Sequence, residues 1–324
     1  MNTAPDKVMG LEEAVARFVP EAAHISIGGF TCNRNPMAAV YEIIRQRRRN
    51  LHLYAHSNGQ GVDELVGAGC LARIEIAYAG TGRFAPTCIR FRKAIETGAV
   101  LFEDYSNYQM TLRFLAGAMG VPFLPTRSGF GTDIIARWGF SEELRRGDER
   151  LPERKMVVMD NPFGGRDGTA RVVLVPAIRP DVTVIHAQKA GRDGTARIEG
   201  LSFADVEQAK AARHVIVTCE ELMGGDKLRA HPEQNQIPGL IVDAVVHVPH
   251  GAYPTACYRY YDYDPRFLND YRTAALDDGR FAAYLEDWVF GKRNHAERIA
   301  AVGAARLAAI EADPRTGYAT GLAR

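Results

Sequence analysis

The sequence predicts an α/β fold in which an open, mainly parallel sheet is flanked by helices. Short apolar runs alternate along the chain with segments whose apolar residues recur at helical spacing. This alternation is typical of parallel strands joined by crossover helices. The apolar runs of the second half are also rich in β-branched residues, as strands buried on both faces are. The 324 residues are enough for one large domain or two smaller ones.

In the first 120 residues, strands and helices are expected to follow one another in turn. The predicted strands are residues 24–27, 51–55, 74–77 and 100–103. The predicted helices are residues 11–19, 35–45, 89–97 and 108–119, with a further helix beginning at Asp63. A polar, glycine-rich turn is expected at residues 57–61. Pro36 suits the start of the second helix, because proline there loses only an N–H that has no helical partner.

The pattern changes after residue 122. A proline- and glycine-rich loop is expected at 122–132, followed by a charged surface segment at 142–152. Four further strands are predicted at 172–175, 182–186, 215–219 and 242–248, and closing helices at 281–290 and 296–311. We therefore expect a single subunit domain over residues 1–324, with an α/β core at about 5–265 and a smaller helical part at about 266–324.

Composition excludes several classes of protein. The formal net charge of +1 argues against a nucleic-acid binder that works through bulk electrostatics. The longest apolar runs are far shorter than the ~20 residues of a membrane span, and the N-terminus does not resemble a signal peptide. Five scattered cysteines without a CxxC pair indicate neither a disulfide scaffold nor a zinc site. The sequence thus predicts a cytoplasmic protein that binds no nucleic acid, membrane or metal.

A glycine pair follows the first predicted strand and precedes a helix. Gly28, Gly29, Phe30 and Thr31 form this loop. Glycines at such a position let backbone N–H groups approach a ligand closely, for example a thioester carbonyl or an oxyanion. A plain strand-to-helix turn accounts for the same residues, and the loop alone does not decide between the two interpretations.

A second polar loop follows the next strand, at Ser57, Asn58 and Gly59. The carboxyl ends of parallel strands lie at one edge of a sheet, and open α/β sheets bind ligands there. Two such loops at neighbouring strand ends therefore predict a ligand site at this edge.

Longer segments, taken in order, resemble a known family. They are the GGF at 28–30, SNGQGVDELVGAG at 57–69, RFRKAIETGAVLFEDYS at 90–106, DVTVIHAQKAGRDGTARI at 181–198 and IPGLIVDAVVHVPHGAYPTACY at 237–258. Their order and spacing resemble the A (α) subunits of the class I CoA-transferases, in particular those of the glutaconate CoA-transferase type. The agreement extends over most of the chain, and it is more specific than any single motif.

The resemblance implies an activity and a partner. In this family a glutamate carboxylate attacks an acyl-CoA, giving an anhydride and then a glutamyl-CoA thioester. The two-subunit enzymes carry that glutamate on the B subunit, in a Ser-Glu-Asn-Gly context, whereas this chain has Ser57-Asn58-Gly59. The resemblance therefore implies half an enzyme in a heterodimer or an A2B2 heterotetramer. It also implies a coenzyme A thioester and a dicarboxylic or enoic acid as substrates, with no permanently bound cofactor.

The resemblance also suggests roles for the loop residues. Gly28 and Gly29 would be backbone donors near the reacting carbonyl, and Thr31 would add a hydroxyl. Arg34 would capture a second substrate carboxylate with its guanidinium fork, although a surface arginine at a helix start is an equal alternative. Ser57 and Asn58 would bind the substrate or orient the partner's glutamate.

Three further polar residues lie near predicted strand ends. Glu103 is a candidate catalytic base, as such an acid would be in a hydrolase or decarboxylase of this fold; a structural hydrogen bond is the alternative. His186 and Gln188 follow a later strand and are candidates for lining the cleft, although a histidine within a strand is more often a core residue.

Two other functions remain open from the sequence. The first alternative to the transferase is one half of a same-fold acyl-CoA hydrolase or of a glutaconyl-CoA-type decarboxylase. It would alternatively be a non-catalytic acyl-CoA-binding or regulatory module. The intact glycine loops, Arg34 and Glu103 argue against the regulatory module, because a regulator does not need such a site.

Overall fold

A sheet of parallel strands forms the centre of the molecule. The structure, a computed structural model, describes residues 5–165 and 168–322. Its strands are β1 (His24–Ile27), β2 (Leu51–Asn58), β3 (Leu71–Ala79), β4 (Leu101–Asp104), β5 (Phe123–Thr126), β6 (Val157–Asp160), β7 (Arg171–Pro176), β8 (Val182–Gly191), β9 (Ala196–Arg197), β10 (His214–Met223) and β11 (Ala244–His247). The main sheet has the order β11-β10-β8-β1-β2-β3-β4, and among its described strands the short β9 alone runs antiparallel, beside β8.

Helices cover both faces of this sheet. They are α1 (Leu11–Phe18), α2 (Met37–Arg45), α3 (Gln60–Gly67), α4 (Ile89–Glu96), α5 (Asn107–Met119), α6 (Glu142–Gly147), α7 (Asp205–Ala211), α8 (Gly225–Ala230), α9 (Pro265–Ala275), α10 (Asp278–Leu285), α11 (His295–Val302) and α12 (Ala304–Ile310). The predicted α/β fold with a mainly parallel sheet is confirmed. Within the described ranges, no helix has both the length and the apolar character needed to cross a bilayer.

The direction in which the sheet grows reverses at β1. From β1 the chain adds β2, β3 and β4 on one side, and β8, β10 and β11 are added later on the other. The boundary between β1 and β8 is therefore the topological switch point, where open α/β sheets form a crevice at the carboxyl ends of their strands.

The two faces of the sheet differ in chemistry. Ile25 and Ile27 of β1 join the large apolar cluster under α1–α4. On the opposite face Glu75 is fully buried, and it accepts hydrogen bonds from Arg113 of α5 at 2.6 Å and His52 at 2.9 Å. Burial alone would raise the pKa of Glu75, but Arg113 and His52 lower it well below its usual range. An ionic layer thus joins α5 to this face.

A second sheet has the order β5-β7-β6, is antiparallel and packs on α5. The sequence predicted β7 as a buried strand but treated residues 122–132 as a loop, so it missed β5 and also β6. Both missed strands are four residues long, and β5 contains a proline. Strands this short give little periodicity from which to recognise them.

Three other expectations were wrong in detail. Residues 57 and 58 belong to β2 rather than to a turn, because they pair with Tyr78 and Ala79 of β3. The charged segment 142–152 is not wholly a surface segment, since Arg145 is buried against Glu103. The predicted last helix is divided into α11 and α12 at Gly303, whose φ of 88° no helix accommodates.

Two buried carboxyl groups on α3 hold the C-terminal helices. Tyr271 donates to Asp63 at 2.9 Å, and Tyr284 donates to Glu64 at 2.5 Å. Tyr41 of α2 also donates to Glu64, at 3.0 Å. Burial raises the pKa of Asp63 to about 6 and that of Glu64 to about 7, because their charged forms lose hydration. Since α3 starts directly after Gly59, this contact also fixes one of the site loops.

The raised pKa of Glu64 predicts a specific pH dependence. A carboxyl whose pKa is higher in the folded state loses stabilising effect as pH rises from the unfolded value near 4.5 to about 7. Glu64→Gln removes this titration, so the variant should gain about 2–3 kcal/mol relative to wild type between pH 4.5 and pH 8. Urea unfolding at both pH values measures the gain. The exposed Glu96→Gln serves as the control, and an equal offset at both pH values would contradict the assignment.

Candidate active site at the switch point of the sheet

The glycine pair after β1 makes room for a buried carboxylate. Gly29 donates its N–H to Oδ1 of Asp205 at 2.9 Å, and Gly28 donates to Val184 O at 2.9 Å. A Cβ on Gly28 would lie 2.7 Å from Ile185 Cδ1 and 3.0 Å from Asp205 Cγ. Gly29 has a φ of 86°, which favours glycine. Both amides are bonded within the chain, so neither is the free donor expected from the sequence. Their place in a substrate site stays a prediction.

Arg34 and Asp205 form the central ion pair of this region. Arg34 Nη1 lies 2.5 Å from Asp205 Oδ2, and the two side chains are 3% and 0% exposed. Arg34 also donates to the backbone oxygens of His186 at 2.9 Å and Leu201 at 3.0 Å. The alternative of a surface arginine is therefore wrong. Capture of a substrate carboxylate stays a prediction, since the guanidinium neutralises Asp205 in this structure.

The second loop packs directly on the first. Asn58 donates to Gly28 O at 3.0 Å and accepts from Val62 N–H at 3.2 Å. Ser57 donates to the side chain of Asn107, and its backbone oxygen accepts from Thr31 N–H at 3.3 Å. The structure thus brings together the two loops that the sequence placed at one edge.

Gly59 is required at the junction of the two loops. A Cβ there would lie 2.6 Å from Gly80 O and 2.7 Å from Thr31 O. No side chain fits at such distances from two backbone oxygens, which do not move as a flexible side chain would. The loops therefore keep one fixed separation.

A cavity of about 520 Å³ opens beside these loops, at the switch point. Aromatic side chains line much of it: Phe30 stacks on Phe203 with ring centroids 4.9 Å apart, and Tyr258 and Tyr318 also line the cavity. Arg34, Glu199 and Asp262 add a few polar groups. An apolar pocket of this size with few polar groups is typical of a small-molecule site.

The backbone around the cavity is strained. Thr31, Arg34 and Phe203 have φ values of 49°, 49° and 52°, in the left-handed region that residues with a Cβ rarely adopt. Each such residue costs on the order of 1–3 kcal/mol and persists only where its surroundings hold it in place. Strain of this kind is concentrated at ligand sites, which supports a functional role for this loop.

A second cavity, of about 550 Å³, lies between α1, α2, α11 and the end of β11. It contains none of the predicted site residues. Its cations are paired locally, Arg45 with Glu42 at 2.7 Å and Arg293 with Glu297. The position at the switch point therefore favours the aromatic cavity as the candidate site.

His186 and Gln188 support the cavity from behind. His186 is fully buried, with Nδ1 2.9 Å from Thr218 Oγ1 and Nε2 2.8 Å from Glu220 Oε1. Gln188 donates to the backbone oxygens of Glu199 at 3.0 Å and Tyr258 at 3.3 Å. Both fix the wall of the cavity, and direct substrate binding by either stays a prediction.

One buried cluster has the residue types of a metal site. Ligand atoms of His186, Glu220 and Cys257 lie within 4.8 Å of one another. However, Tyr261 already donates to Glu220 at 2.5 Å, and burial raises the pKa of the Cys257 thiol well above its usual value. A protonated thiol and a fully bonded carboxylate suit a polar core better than metal ligation.

Glu103 lies away from the cavity. In the sheet Glu103 lies opposite Glu75 of β3, Glu75 lies opposite Tyr54 of β2, and Tyr54 lies opposite Ser26 of β1. Glu103 is therefore three strand spacings, about 14 Å, from β1. Its carboxylate is 1% exposed, pairs with Arg145 and accepts from Gly139 N–H at 3.0 Å. These contacts match the alternative of a structural hydrogen bond. The catalytic role of Glu103 stays a prediction, and none of these contacts supports it.

Asp205 and Phe203 are among the site residues that the sequence did not indicate, as are the cavity-lining Glu199, Tyr258, Asp262 and Tyr318. Asp205 begins α7, where an acidic residue is ordinary because it complements the helix dipole. Nothing local indicates that it contacts Arg34, 171 residues earlier in the chain.

Comparisons with known proteins agree along nearly the whole chain. A family model described as coenzyme A transferase matches residues 8–248. The chain is 40% identical to the A subunit of glutaconate CoA-transferase from Acidaminococcus fermentans, over 96% of this chain and 97% of that one. It is 33% identical to the A subunit of 3-oxoadipate CoA-transferase from Pseudomonas knackmussii, over 90% and 96% of the two chains.

Solved structures are similar as well. The crystal structure of glutaconate coenzyme A-transferase from Acidaminococcus fermentans matches with a TM-score of 0.92, covering 97% of this chain and 98% of that one. The crystal structure of a variant of the decarboxylase AibA/AibB matches with a TM-score of 0.70 at 33% identity, covering 87% and 97%.

The buried ion pair predicts a large stability difference between two aspartates. Asp205→Asn leaves the buried Arg34 charge without its counter-charge, which should lower the free energy of unfolding by about 3–5 kcal/mol. Asp226→Asn breaks the pair with Arg229, which is highly exposed, and should change stability by less than about 1 kcal/mol. Urea unfolding of both variants measures the difference. Equal losses would show that the Arg34–Asp205 pair is not the constraint described above.

Proposed function

Because this chain belongs to the coenzyme A transferase family, we propose that it is the A subunit of a two-subunit enzyme that moves coenzyme A between an acyl-CoA thioester and a carboxylate. The observation that supports this most is the 40% identity to the A subunit of glutaconate CoA-transferase, which extends over 96% of the chain. The aromatic cavity at the switch point supports it independently, because a parallel sheet binds substrate there.

The need for a partner follows from the carboxylates around the cavity. Within residues 5–165 and 168–322, Glu199 is paired with Lys189 at 2.6 Å and Asp205 with Arg34 at 2.5 Å. Asp262 accepts from Ala319 N–H at 3.3 Å, and Glu220 lies behind the wall against His186. Each is held by donors of this chain, and a carboxylate so held is a poor nucleophile.

In the proposed reaction a B subunit supplies the nucleophile. Its glutamate carboxylate attacks the thioester carbonyl, the C–S bond breaks and the coenzyme A thiolate leaves, giving a mixed anhydride. The thiolate then attacks the glutamyl carbonyl and releases the first acid. The second acid enters by the same steps in reverse. No oxidant or reductant is consumed.

The substrate class follows from the cavity and the relatives. The stacked pair Phe30–Phe203 offers flat apolar walls to a short acyl chain, and Arg34 lies 5.9 Å from the Phe203 ring centroid. The A subunits of glutaconate and 3-oxoadipate CoA-transferases are both similar to this chain. We therefore propose a short dicarboxylic or enoic acyl group.

A decarboxylase subunit is the second candidate. It is favoured by the 33% identity to the decarboxylase AibA/AibB, whose structure covers 87% of this chain. In that case the same cavity would hold a glutaconyl-type thioester, and loss of CO2 would replace acyl exchange.

Co-purification and product analysis distinguish these functions. The chain is expressed alone and together with a B-type subunit of the same organism, and glutaconyl-CoA plus acetate is supplied. Mass spectrometry follows every thioester and both proteins. We expect acetyl-CoA from the complex only, with a coenzyme A adduct on the partner.

Other products would have other meanings. Loss of CO2 or free coenzyme A without exchange would favour a decarboxylase or a hydrolase. Tight acyl-CoA binding by the chain alone without turnover, even with the partner, would indicate a binding module and contradict the proposal.

The aromatic wall predicts a kinetic effect for Phe203→Ala. The variant removes one of the two stacked aromatic walls and with it about 1–2 kcal/mol of contact with the acyl group, so KM for the acyl-CoA should rise about tenfold while kcat changes little. Initial rates of the complex at varied thioester concentration measure this. Phe163→Ala, at a side chain that is 94% exposed, is the control. An unchanged KM in Phe203→Ala would place the acyl group elsewhere.

A further inference from the structure

The C-terminal end of the described chain forms part of the wall of the aromatic cavity. Tyr318 lines the cavity and is 48% exposed, so its ring lies at the opening toward solvent. It packs edge-on against Tyr258, another lining residue, with ring centroids 5.4 Å apart and an interplanar angle of 69°. Gly317 lines the cavity beside them. We call these three residues, which come from two distant segments of the chain, the tyrosine wall.

Two glycines fix the ring of Tyr258. A Cβ on Gly317 would overlap with Tyr258 Cε2, and a Cβ on Gly200 would lie 2.9 Å from Tyr258 Cδ1. The two glycines have φ values of 81° and 79°, which residues with a Cβ rarely adopt. The ring therefore occupies a slot that a side chain at either position would close. Because it cannot shift toward either backbone, the ring gives Tyr318 a rigid support.

Hydrogen bonds on both sides of Tyr318 hold the C-terminal segment in place. Arg259 donates its backbone N–H to Gly317 O at 3.1 Å. Ala319 donates its backbone N–H to Asp262 Oδ2 at 3.3 Å. The residue before Tyr318 and the residue after it are thus both bonded to the segment that carries Tyr258. The fold therefore fixes the position of the Tyr318 ring at the opening of the cavity.

We propose that Tyr318 limits the length of the acyl group, an inference that rests on the proposed transferase function. In that reaction the cavity of about 520 Å³ holds the acyl group together with the thioester end of coenzyme A and the partner's glutamate. Only part of this volume is then left for the acyl chain. A rigid ring at the opening ends that space, because a longer chain would have to displace the ring.

The location of the tyrosine wall along the sequence fits a role in specificity. The coenzyme A transferase family model matches residues 8–248, which include the loops after β1 and β2 and the stacked rings of Phe30 and Phe203. Tyr258, Gly317 and Tyr318 lie beyond that range. A wall outside the matched range suits a property that differs between enzymes of one family, such as the acyl group that each accepts.

Binding of unreactive coenzyme A thioethers tests the proposal. S-methyl-CoA carries a single carbon in place of the acyl group, whereas S-octyl-CoA carries a long chain. Each methylene that finds room in an apolar site strengthens binding by about fourfold. Removal of the ring in Tyr318→Ala makes room for at least two more. The affinity for S-octyl-CoA relative to S-methyl-CoA should therefore rise at least about tenfold over the wild-type ratio. Isothermal titration of the co-purified complex measures both dissociation constants.

Further variants separate the ring from other effects. Tyr318→Phe keeps the ring without its hydroxyl and should keep the wild-type ratio within about twofold. Phe163→Ala, at a side chain that is 94% exposed, should keep that ratio as well. Unchanged affinity for S-methyl-CoA shows that Tyr318→Ala is folded with its coenzyme A site intact. If that affinity is lost, Tyr318→Leu, which retains more of the contact with Tyr258, replaces it.

The outcomes distinguish this proposal from the transferase function. An unchanged ratio in Tyr318→Ala would overturn the role of Tyr318, and so would an equal rise in Tyr318→Phe, since the hydroxyl would then be responsible. Failure of the wild-type complex to bind either thioether would overturn it too. A raised ratio without acyl exchange would refute the transferase function alone, and exchange with an unchanged ratio would refute the length limit alone. If no B subunit binds, the same titrations of the chain alone decide.

Discussion

The buried pair of Arg34 and Asp205 is the interaction on which the site depends. Through it the loop after β1 is tied to the start of α7, to β8 through His186 O and to the segment near Leu201. A buried ion pair gains little net stability, but removal of one partner is costly. Its effect is to fix geometry, because the same carboxylate also accepts from Gly29 N–H. Glycine is needed at position 29 because its φ is 86° and a Cβ there would lie 2.6 Å from the backbone oxygens of Asn33 and Arg34. The walls of the aromatic cavity follow from this one constraint.

The two faces of the main sheet are built differently, and the candidate site lies at its carboxyl edge. The helices α1–α4 cover an apolar face, while the face under α5 contains the ionic layer around Glu75 and Arg113. At the carboxyl edge, the carboxylates near the cavity are bonded to donors of the same chain. In the proposed reaction, a chain built in this way shapes the thioester site and a second subunit supplies the covalent chemistry.

Local sequence patterns predicted what depends on local structure. The parallel strands, the flanking helices and the two loops at the sheet edge follow from periodicity and from glycine positions. Roles that depend on distant partners did not follow. The sequence suggested that Arg34 binds a substrate carboxylate. In the structure Arg34 is paired with Asp205, which lies 171 residues further along the chain. Glu103 was a candidate base because it ends a strand, yet its contact with Arg145 crosses 42 residues. No local sequence pattern indicates that Asp205 or Arg145 is such a partner. The strands β5 and β6 were missed for another reason, since four residues are too few to show a periodic pattern.

Amide hydrogen exchange in Asp205→Asn tests the central claim most directly. If the Arg34–Asp205 pair fixes the site loop, residues 28–35 should exchange faster in this variant by at least about tenfold. The neighbouring residues 199–203 should follow, whereas β3 and β4 should change only as far as the lower overall stability of the variant requires. Asp226→Asn should leave all of these segments unchanged. Unaltered protection of residues 28–35 in Asp205→Asn would contradict the account, because another interaction would then hold the loop.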